Sequence, residues 1–282
     1  MFRTRSFNVS TVVMYGLLIL LLLIIVVPLF IIISQTFQPN NTLYNYPPTI
    51  ITTEPTAQNW EGLFTREDLM LTQWLANSLV AAVGHTLLVL AITAPAAYAF
   101  ARIKFPGRNI LFFVLLATLM IPGDTRLIPN YLVLRDLKLL GTIAALIIPG
   151  AANVFGVFLL RQFFMGIPVE LEEAAIIDGA TRFGVFWRII LPLSTPALVA
   201  LSIFVFQANW NDFLWPLVVT TTVEQRTLPV GLSILQGAYQ TQQRGLVLAA
   251  AIFSTIPVMG MYLVFQRQII QGVTFTSGFG GR

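Results

Sequence analysis

An unbroken run of uncharged, mostly apolar residues, Thr11–Ile33, dominates the N-terminal part of the chain. A helix of about 20 apolar residues spans the roughly 30 Å hydrocarbon core of a bilayer, so this run is long enough to cross it. The apolar region of a signal peptide has only about 7–15 residues and precedes a small-x-small cleavage site, which is absent after Ile33. We therefore predict a retained first transmembrane helix.

Five further apolar segments follow. They are Leu75–Phe100, Asn109–Pro122, Thr142–Leu160, Leu193–Val219 and Leu246–Phe265. Charged residues make up 10% of the 282 residues, whereas soluble domains carry about 25%, so lipid must be the solvent for much of the chain. The third segment is short, and Pro122 and Pro129 predict that it continues as a kinked or broken helix. The sequence thus predicts an all-α integral membrane protein with six transmembrane helices.

The Lys and Arg residues predict the orientation of these helices. With the N-terminus inside, ten of the 16 basic residues fall on the cytoplasmic side and six fall outside. Cytoplasmic loops carry an excess of Lys and Arg, which favours cytoplasmic N- and C-termini. The cluster Arg102, Lys104 and Arg108 is the strongest local support. A net charge of +4 fits such basic loops and gives no indication of nucleic-acid binding.

Four regions are expected along the chain. Residues 1–34 hold the cytoplasmic N-terminus and the first helix. Residues 35–74 form an extracytoplasmic loop, and because it contains several prolines we expect it to be largely extended. Residues 75–270 form the membrane-embedded core, and residues 271–282 form a cytoplasmic tail.

Residues 161–192 carry charges that do not suit a membrane interior. Pro168 suits a first helical position, and the glutamates at 170, 172 and 173 then lie near the positive end of the helix dipole. Gly179 suits the left-handed residue that ends a helix, and Thr181 can cap a second short helix bearing Phe183, Phe186 and Trp187. This pattern predicts a cytoplasmic helix–turn–helix that docks on a partner. The alternative, an amphipathic loop resting on lipid, would favour Lys and Arg instead of glutamate.

The same segment resembles a known family. Glu173-Ala174-Ala175, then Gly179, then Ile189, Leu191 and Pro192 match, at fixed spacing, the EAA motif of ABC importer permeases. The resemblance implies that residues 168–190 are coupling helices that sit in a cleft of an ATP-binding subunit. The ATPase-coupling residues it implies are Glu170, Glu173, Ala174, Ala175, Asp178, Gly179 and Arg182.

Other stretches narrow the resemblance to the maltose-transporter, MalG-like branch of carbohydrate permeases. They are Met120–Gly123, Asn209–Leu217, Arg226–Leu232 and Phe265–Arg267, and the similarity covers residues 75–282. The C-terminus departs from the family, because relatives often end in a Gly-x-Lys-Gly tail and this chain ends in Ser277–Arg282. Tail contacts with the ATPase are therefore not implied.

The resemblance implies a type I (MetI-like) permease subunit that moves a sugar, an oligosaccharide or a sugar-like solute such as a glycerol phosphate by alternating access. It implies a second, MalF-like permease, two ABC ATPase subunits that bind ATP and Mg, an extracytoplasmic solute-binding protein, and a multi-pass location in the bacterial inner membrane. No cofactor is expected in this chain, because it has no Gly-rich phosphate loop and no catalytic constellation.

A polar group in the fifth segment is a candidate translocation path. It consists of Gln207, Asn209, Trp210, Asn211 and Asp212. At about 1.5 Å per residue the group lies in the outer third of the membrane. Two interpretations remain open: a gate or sugar path in which Trp210 stacks on a sugar ring, and hydrogen bonding between helices.

His85 is the single histidine, and we expect it to be a hydrogen-bonding strut. An ion-coupled secondary transporter is the alternative function. It would need His85 and Asp212 to bind the coupling ion.

The connection between the fifth and sixth segments is a candidate surface for the binding protein. Its residues Gly237, Tyr239, Gln240 and Gln242 resemble, in position, the loop that enters the opened binding protein in maltose-type relatives. Glutamines can compete for sugar hydrogen bonds, and a tyrosine can occupy the aromatic face of the sugar site. The alternative is a solvated connector.

Overall fold

The computed structural model describes residues 9–44, 50–52, 54–66, 69–239 and 243–278. Within these ranges the chain is helical, with turns and no strand. The N-terminal half contains α1 (Val9–Thr36), α2 (Gln58–Thr65), α3 (Leu71–Arg102), α4 (Arg108–Ala117), α5 (Leu127–Asp136) and α6 (Ile143–Ile147). The remaining helices are α7 (Val154–Met165), α8 (Glu170–Ile177), α9 (Arg182–Val185), α10 (Leu191–Leu193), α11 (Thr195–Trp210), α12 (Leu214–Val219), α13 (Leu228–Tyr239) and α14 (Arg244–Gly278).

Three described helical stretches are long and apolar enough to cross a membrane, namely Ser10–Thr36, Leu71–Arg102 and Arg244–Gln266. The number rises to six if each bent helix pair counts as one span. This confirms the prediction of an all-helical membrane protein, and the predicted number of six helices is the upper limit of the three to six candidate spans. The predicted first, second and sixth segments correspond to α1, α3 and α14.

The predicted third segment is a broken helix, as Pro122 indicated. The stretch Arg108–Met120 is followed, across a break at Ile121 and Pro122, by Gly123–Asp136, and the two are bent by 97°. Proline lacks the N–H that would continue the helical hydrogen bonds, which accounts for the position of the break.

The fourth segment, predicted as one span over Thr142–Leu160, is interrupted, so that prediction was wrong in its continuity. The short helix α6 ends at Ile147, and α7 begins at Val154. Pro149 precedes Gly150, which has a left-handed backbone with φ of +79°. Gly150 therefore adopts a left-handed conformation that a residue with a side chain rarely adopts, and this conformation cannot continue a right-handed helix.

The fifth segment, predicted over Leu193–Val219, is also divided. Residues 211–213 separate α11 from α12. At the other end, Pro192 was expected to open this helix, but it lies in α10. The stretch Arg182–Leu193 meets Thr195–Trp210 at a bend of 75°.

The chain divides into two compact units, of which the larger comprises Met70–Gly231 and Thr255–Arg282. In this larger unit α3 is the central helix, because it packs against α6, α7 and α11. Its core includes the fully buried side chains Val89, Ala97, Leu160, Phe164, Ile190 and Leu201. Val185 of α9 belongs to this core, and Ala175 of α8 packs against it.

The smaller unit comprises Met1–Leu69 and Leu232–Ser254. The region 35–74, predicted to be largely extended, contains the helix α2. The buried Asn59 anchors this helix, because its side-chain amide donates to the carbonyls of Thr36 and Gln38, each at 2.9 Å. In contrast, the most hydropathic window of α1 has none of its residues buried.

Candidate functional site

The helix α8 begins at Glu170, and Val169 is its N-cap. The Val169 carbonyl accepts hydrogen bonds from the backbone N–H groups of Glu172 at 2.9 Å and Glu173 at 3.0 Å. Pro168 was predicted at the first helical position, but it lies two residues before the helix. The expected acidic first turn is present, with Glu170, Glu172 and Glu173 near the positive end of the helix dipole.

The helix α8 ends in a Schellman motif built on Gly179. The φ angle of Gly179 is +86°, which confirms the predicted left-handed residue. Its N–H donates to the Ile176 carbonyl at 3.0 Å, and the N–H of Ala180 donates to the Ala175 carbonyl at 2.9 Å. These two bonds satisfy carbonyls that would otherwise be unpaired at the helix end.

Thr181 caps the second helix of the segment, as predicted. Its hydroxyl oxygen accepts a hydrogen bond from the Gly184 N–H at 3.1 Å. The helix α9 continues through a π-helical stretch, Phe186–Ile190, into α10. Phe183 and Trp187 are exposed on the surface, whereas Phe186 is buried in the core of the larger unit.

Most of the predicted coupling residues lie on one accessible surface. The exposed members are Glu170, Glu173, Ala174, Asp178, Gly179 and Arg182. Ala175 is partly buried and packs against the core, so only one of the two small residues is open to a partner. The predicted set therefore lies on an acidic helix and on the tight turn and cap that follow it, and its role in coupling stays a prediction.

A buried charge pair beneath α8 was missed by the sequence analysis. Glu172 is the one buried residue of α8, and its Oε1 lies 2.6 Å from Nε of Arg102. This contact lacks hydrogen-bond alignment, so we describe it as an ion pair. The Tyr98 hydroxyl donates to Glu172 Oε2 at 3.3 Å, and Arg102 donates from Nη2 to the Ile167 carbonyl.

The sequence alone does not indicate this pair, because the side of α8 that faces the core is known only from the structure. Glu172 lies three residues before Ala175, so both occupy the same side of α8, which is the side that faces the core. Arg102 was considered only as a basic loop residue, whereas the structure makes it the last residue of α3.

The polar group in the fifth segment is divided between surface and interior. Gln207 and Asn211 are exposed. Trp210 is 2% exposed, and its ring stacks on Phe206 with centroids 5.8 Å apart and an interplanar angle of 12°. The interpretation in which Trp210 is open to stack on a sugar ring therefore does not agree with the burial of its side chain.

Three side chains cap the end of the short helix α6. Trp215 Nε1 donates to the Ala145 carbonyl at 2.8 Å, and Asn209 donates to the Leu146 carbonyl at a long 3.5 Å. His85 Nδ1 bonds the Ile147 carbonyl at 2.7 Å, which requires the proton on Nδ1 and confirms the predicted strut. A helix that ends between other helices needs such donors, because its last carbonyls have no partner within it. For Asn209, interhelical hydrogen bonding is thus the interpretation that the structure favours.

Asp212 lies at the break between α11 and α12. Its carboxylate accepts a hydrogen bond from the backbone N–H of Trp215 at 3.3 Å, so it serves the start of α12. Among the described residues, no group of three or more His, Asp or Glu side chains could hold a metal ion.

The candidate surface for a binding protein differs from the expected loop. Gly237 is exposed and belongs to α13, and Tyr239 is the last residue of that helix. Helix α13 therefore extends into what was predicted to be a connector. Gln240 and Gln242 lie outside the described residues, so the role predicted for this group stays a prediction.

The chain is similar in sequence to permease proteins of bacterial transport systems. The chain is 35% identical over 249 residues to the arabinooligosaccharides transport system permease protein AraQ of Halalkalibacterium halodurans, covering 88% of each chain. It is 33% identical over 251 residues to the sn-glycerol-3-phosphate transport system permease protein UgpE of Yersinia enterocolitica, covering 87% of this chain and 89% of the relative.

A solved structure agrees with these relatives in fold. It is a bacterial ABC transporter involved in the import of the acidic polysaccharide alginate, with a TM-score of 0.82 and 25% identity. The match covers 95% of this chain and 99% of that chain.

Residues 90–274 match the family model for the binding-protein-dependent transport system inner membrane component. This range includes the EAA motif and the whole of the α8–α9 segment. The chain therefore belongs to the family of inner membrane components of binding-protein-dependent transport systems, and it is a permease subunit of an ABC importer.

Proposed function

We propose that this permease subunit imports a sugar, an oligosaccharide or a sugar-like solute such as a glycerol phosphate into a bacterial cell. The observation that carries the proposal is the exposed acidic helix α8 with its Gly179 turn, at the spacing found in importers of this family. Relatives named for arabinooligosaccharides and for sn-glycerol-3-phosphate support the solute class, because these solutes share a polyhydroxylated carbon chain.

The transporter would be completed by several other chains. We propose a second homologous, MalF-like permease, two ABC ATPase subunits and an extracytoplasmic solute-binding protein. ATP and Mg would be held by the ATPase, because this chain has no Gly-rich phosphate loop. The assembly would be multi-pass in the inner membrane, with α8 on the cytoplasmic side and with lipid around the exposed apolar helices.

The mechanism we propose is alternating access, with α8 as the helix on which the ATPase acts. Closure of the ATPase dimer would push on α8, and the two permeases would rotate about their interface to open the path to the other side. The chain itself would perform no chemical step. The ion-coupled alternative gains no support, because His85 and Asp212 are both engaged in bonds to the backbone.

The test is charge reversal at Glu173. We expect Glu173→Lys to weaken ATPase attachment by about 2–5 kcal/mol, or at least roughly 30-fold in affinity, because it leaves an interfacial charge unpaired. Co-purification of the ATPase and ATP-dependent uptake of radiolabelled arabinotriose or sn-glycerol-3-phosphate would both be measured. Glu61→Lys, at an exposed position of α2, is the matched control and should behave as wild type.

Uptake at the wild-type rate in Glu173→Lys would remove Glu173 from the coupling surface. Failure of the wild-type chain to take up any sugar or polyol phosphate, with the ATPase bound, would contradict the solute class alone.

A further inference from the structure

The attachment of α8 to the rest of its unit depends on a charge pair and on little apolar packing. Glu172 is its one buried residue, and Ala175 is partly buried against the core. The apolar residues Leu171, Ile176 and Ile177 point outward and are 45%, 49% and 85% exposed. Hydrophobic burial therefore holds only a narrow strip of α8 in place.

The charge pair joins three segments at one point. Arg102 ends α3, its guanidinium contacts Glu172 on α8, and it also donates to the Ile167 carbonyl in the turn between α7 and α8. Tyr98, one helical turn before Arg102, donates to the other oxygen of Glu172. A guanidinium is planar and directs its donors in fixed directions, so the hydrogen bond to the Ile167 carbonyl fixes the orientation of Arg102, while the contact with Glu172 acts through charge.

The pair is shielded from water, with the two side chains only 12% and 10% exposed. Breaking a pair in such surroundings leaves an uncompensated charge, so the contact resists being pulled apart. The helix that it reaches, α3, is the one that packs against α6, α7 and α11. A displacement of α8 would therefore be passed through Arg102 to the central helix of the larger unit.

We propose that Arg102 and Glu172 are positioning residues that transmit movement of α8 to α3, so that α8 and α3 move as one body during the transport cycle. This inference rests on the proposed function, since α8 moves only if an ATPase acts on it. In the proposed function the residue that meets the ATPase is Glu173, which is exposed on the same helix.

The first experiment measures the distance between the two helices directly. The chain has no cysteine, so spin labels at Leu87→Cys on α3 and Ile177→Cys on α8, both exposed positions, report a single distance by pulsed electron paramagnetic resonance. In the complex with the ATPase and the second permease, we expect the same narrow peak without nucleotide and with ATP. With Glu172→Gln added, the peak should broaden or shift when ATP binds. A wild-type peak that moves between the two nucleotide states would overturn the proposal.

The second experiment measures solute taken up per ATP hydrolysed, in proteoliposomes with loaded binding protein. Glu172→Gln should keep ATP hydrolysis within about twofold of wild type and lower uptake per ATP roughly tenfold. Arg102→Lys keeps the positive charge but loses the planar set of guanidinium donors, so it should lower uptake per ATP less than Glu172→Gln does. This variant tests the proposal if Glu172→Gln does not assemble. Asp136→Asn is the matched control, because it removes one partner of the exposed pair between Arg135 and Asp136, and it should leave the ratio unchanged.

If uptake and ATP hydrolysis fall in equal proportion in both variants, the pair has a role in assembly only, and the inference is overturned. Wild-type rates of uptake and of ATP hydrolysis in both variants would also overturn it. Failure of the proposed function would appear differently, as a wild-type chain that recruits no ATPase.

Discussion

Two adjacent glutamates show what spacing can and cannot predict for a single residue. The motif spacing selected Glu173 for the exposed face, and the structure places it there. Glu172, next to it, is buried against Arg102, and no spacing rule indicated that difference. The large apolar residues of α8 do not indicate its buried side either, because Leu171, Ile176 and Ile177 are exposed. Which side of a short helix is buried depends on the tertiary structure, and Arg102 lies some 70 residues earlier in the chain.

Gly179 allows a prediction at the same scale. A side chain at this position would meet no atom within 4 Å, so any effect of substitution must come from the backbone angle. We expect Gly179→Val to disturb the turn at a cost of about 1–2 kcal/mol or more, because a β-branched residue is strained at positive φ. Gly179→Asn should stay close to wild type, because asparagine tolerates this conformation. The measurement is binding-protein-stimulated ATP hydrolysis in the assembled complex, and equal rates for the two variants would contradict the strain argument.

At the scale of helices, long apolar segments were predicted well, and interruptions inside them were predicted only where proline broke a short segment. The break at Pro122 was expected, whereas those at Pro149-Gly150 and at residues 211–213 were not. A hydropathy window averages over such breaks, because the apolar residues on either side outweigh the few polar residues at each break. The interruption after α6 is tolerated because two side chains remote in sequence, His85 and Trp215, bond its freed carbonyls.

The capping of α6 can be tested through Trp215. Trp215→Phe removes the donor to the Ala145 carbonyl, and we expect a loss of about 1–3 kcal/mol, because an acceptor is left unsatisfied among packed helices. Trp187→Phe is the matched control, since the Trp187 side chain is 55% exposed and should contribute little. Thermal unfolding of the purified chain in detergent would measure both. Equal unfolding temperatures for the two variants would show that the bond to Ala145 does not stabilise the break.

For the whole molecule, the family and the helical fold followed from one motif and from apolar segment lengths, and both are confirmed. The orientation of the chain in the membrane is not tested in the same way, because it was predicted from the number of basic residues on either side. That count predicts α8 inside the cell and α2 outside, and this orientation stays a prediction.

Cysteine labelling tests this orientation in intact cells, and the absence of native cysteine makes the labelling specific to the introduced residue. Gln58→Cys, on α2, and Thr181→Cys, in the turn after α8, both place the thiol at an exposed position. We expect an impermeant maleimide to label Gln58→Cys in intact cells and to label Thr181→Cys only after the cells are opened. Labelling of Thr181→Cys in intact cells would reverse the orientation and remove α8 from the cytoplasm.

The exposure of α1 has a consequence for how freely its sequence can vary. None of the residues in its most hydropathic window is buried within the chain, so the order of Leu, Ile and Val along it carries no packing information for this subunit. Bilayer thickness sets its length, and a charge at its centre would cost about 2.5–3.5 kcal/mol. Within those two limits many sequences are equivalent. Any preference for one of them must come from neighbours outside the chain, so comparison of α1 among related permeases would reveal the surface of a companion subunit.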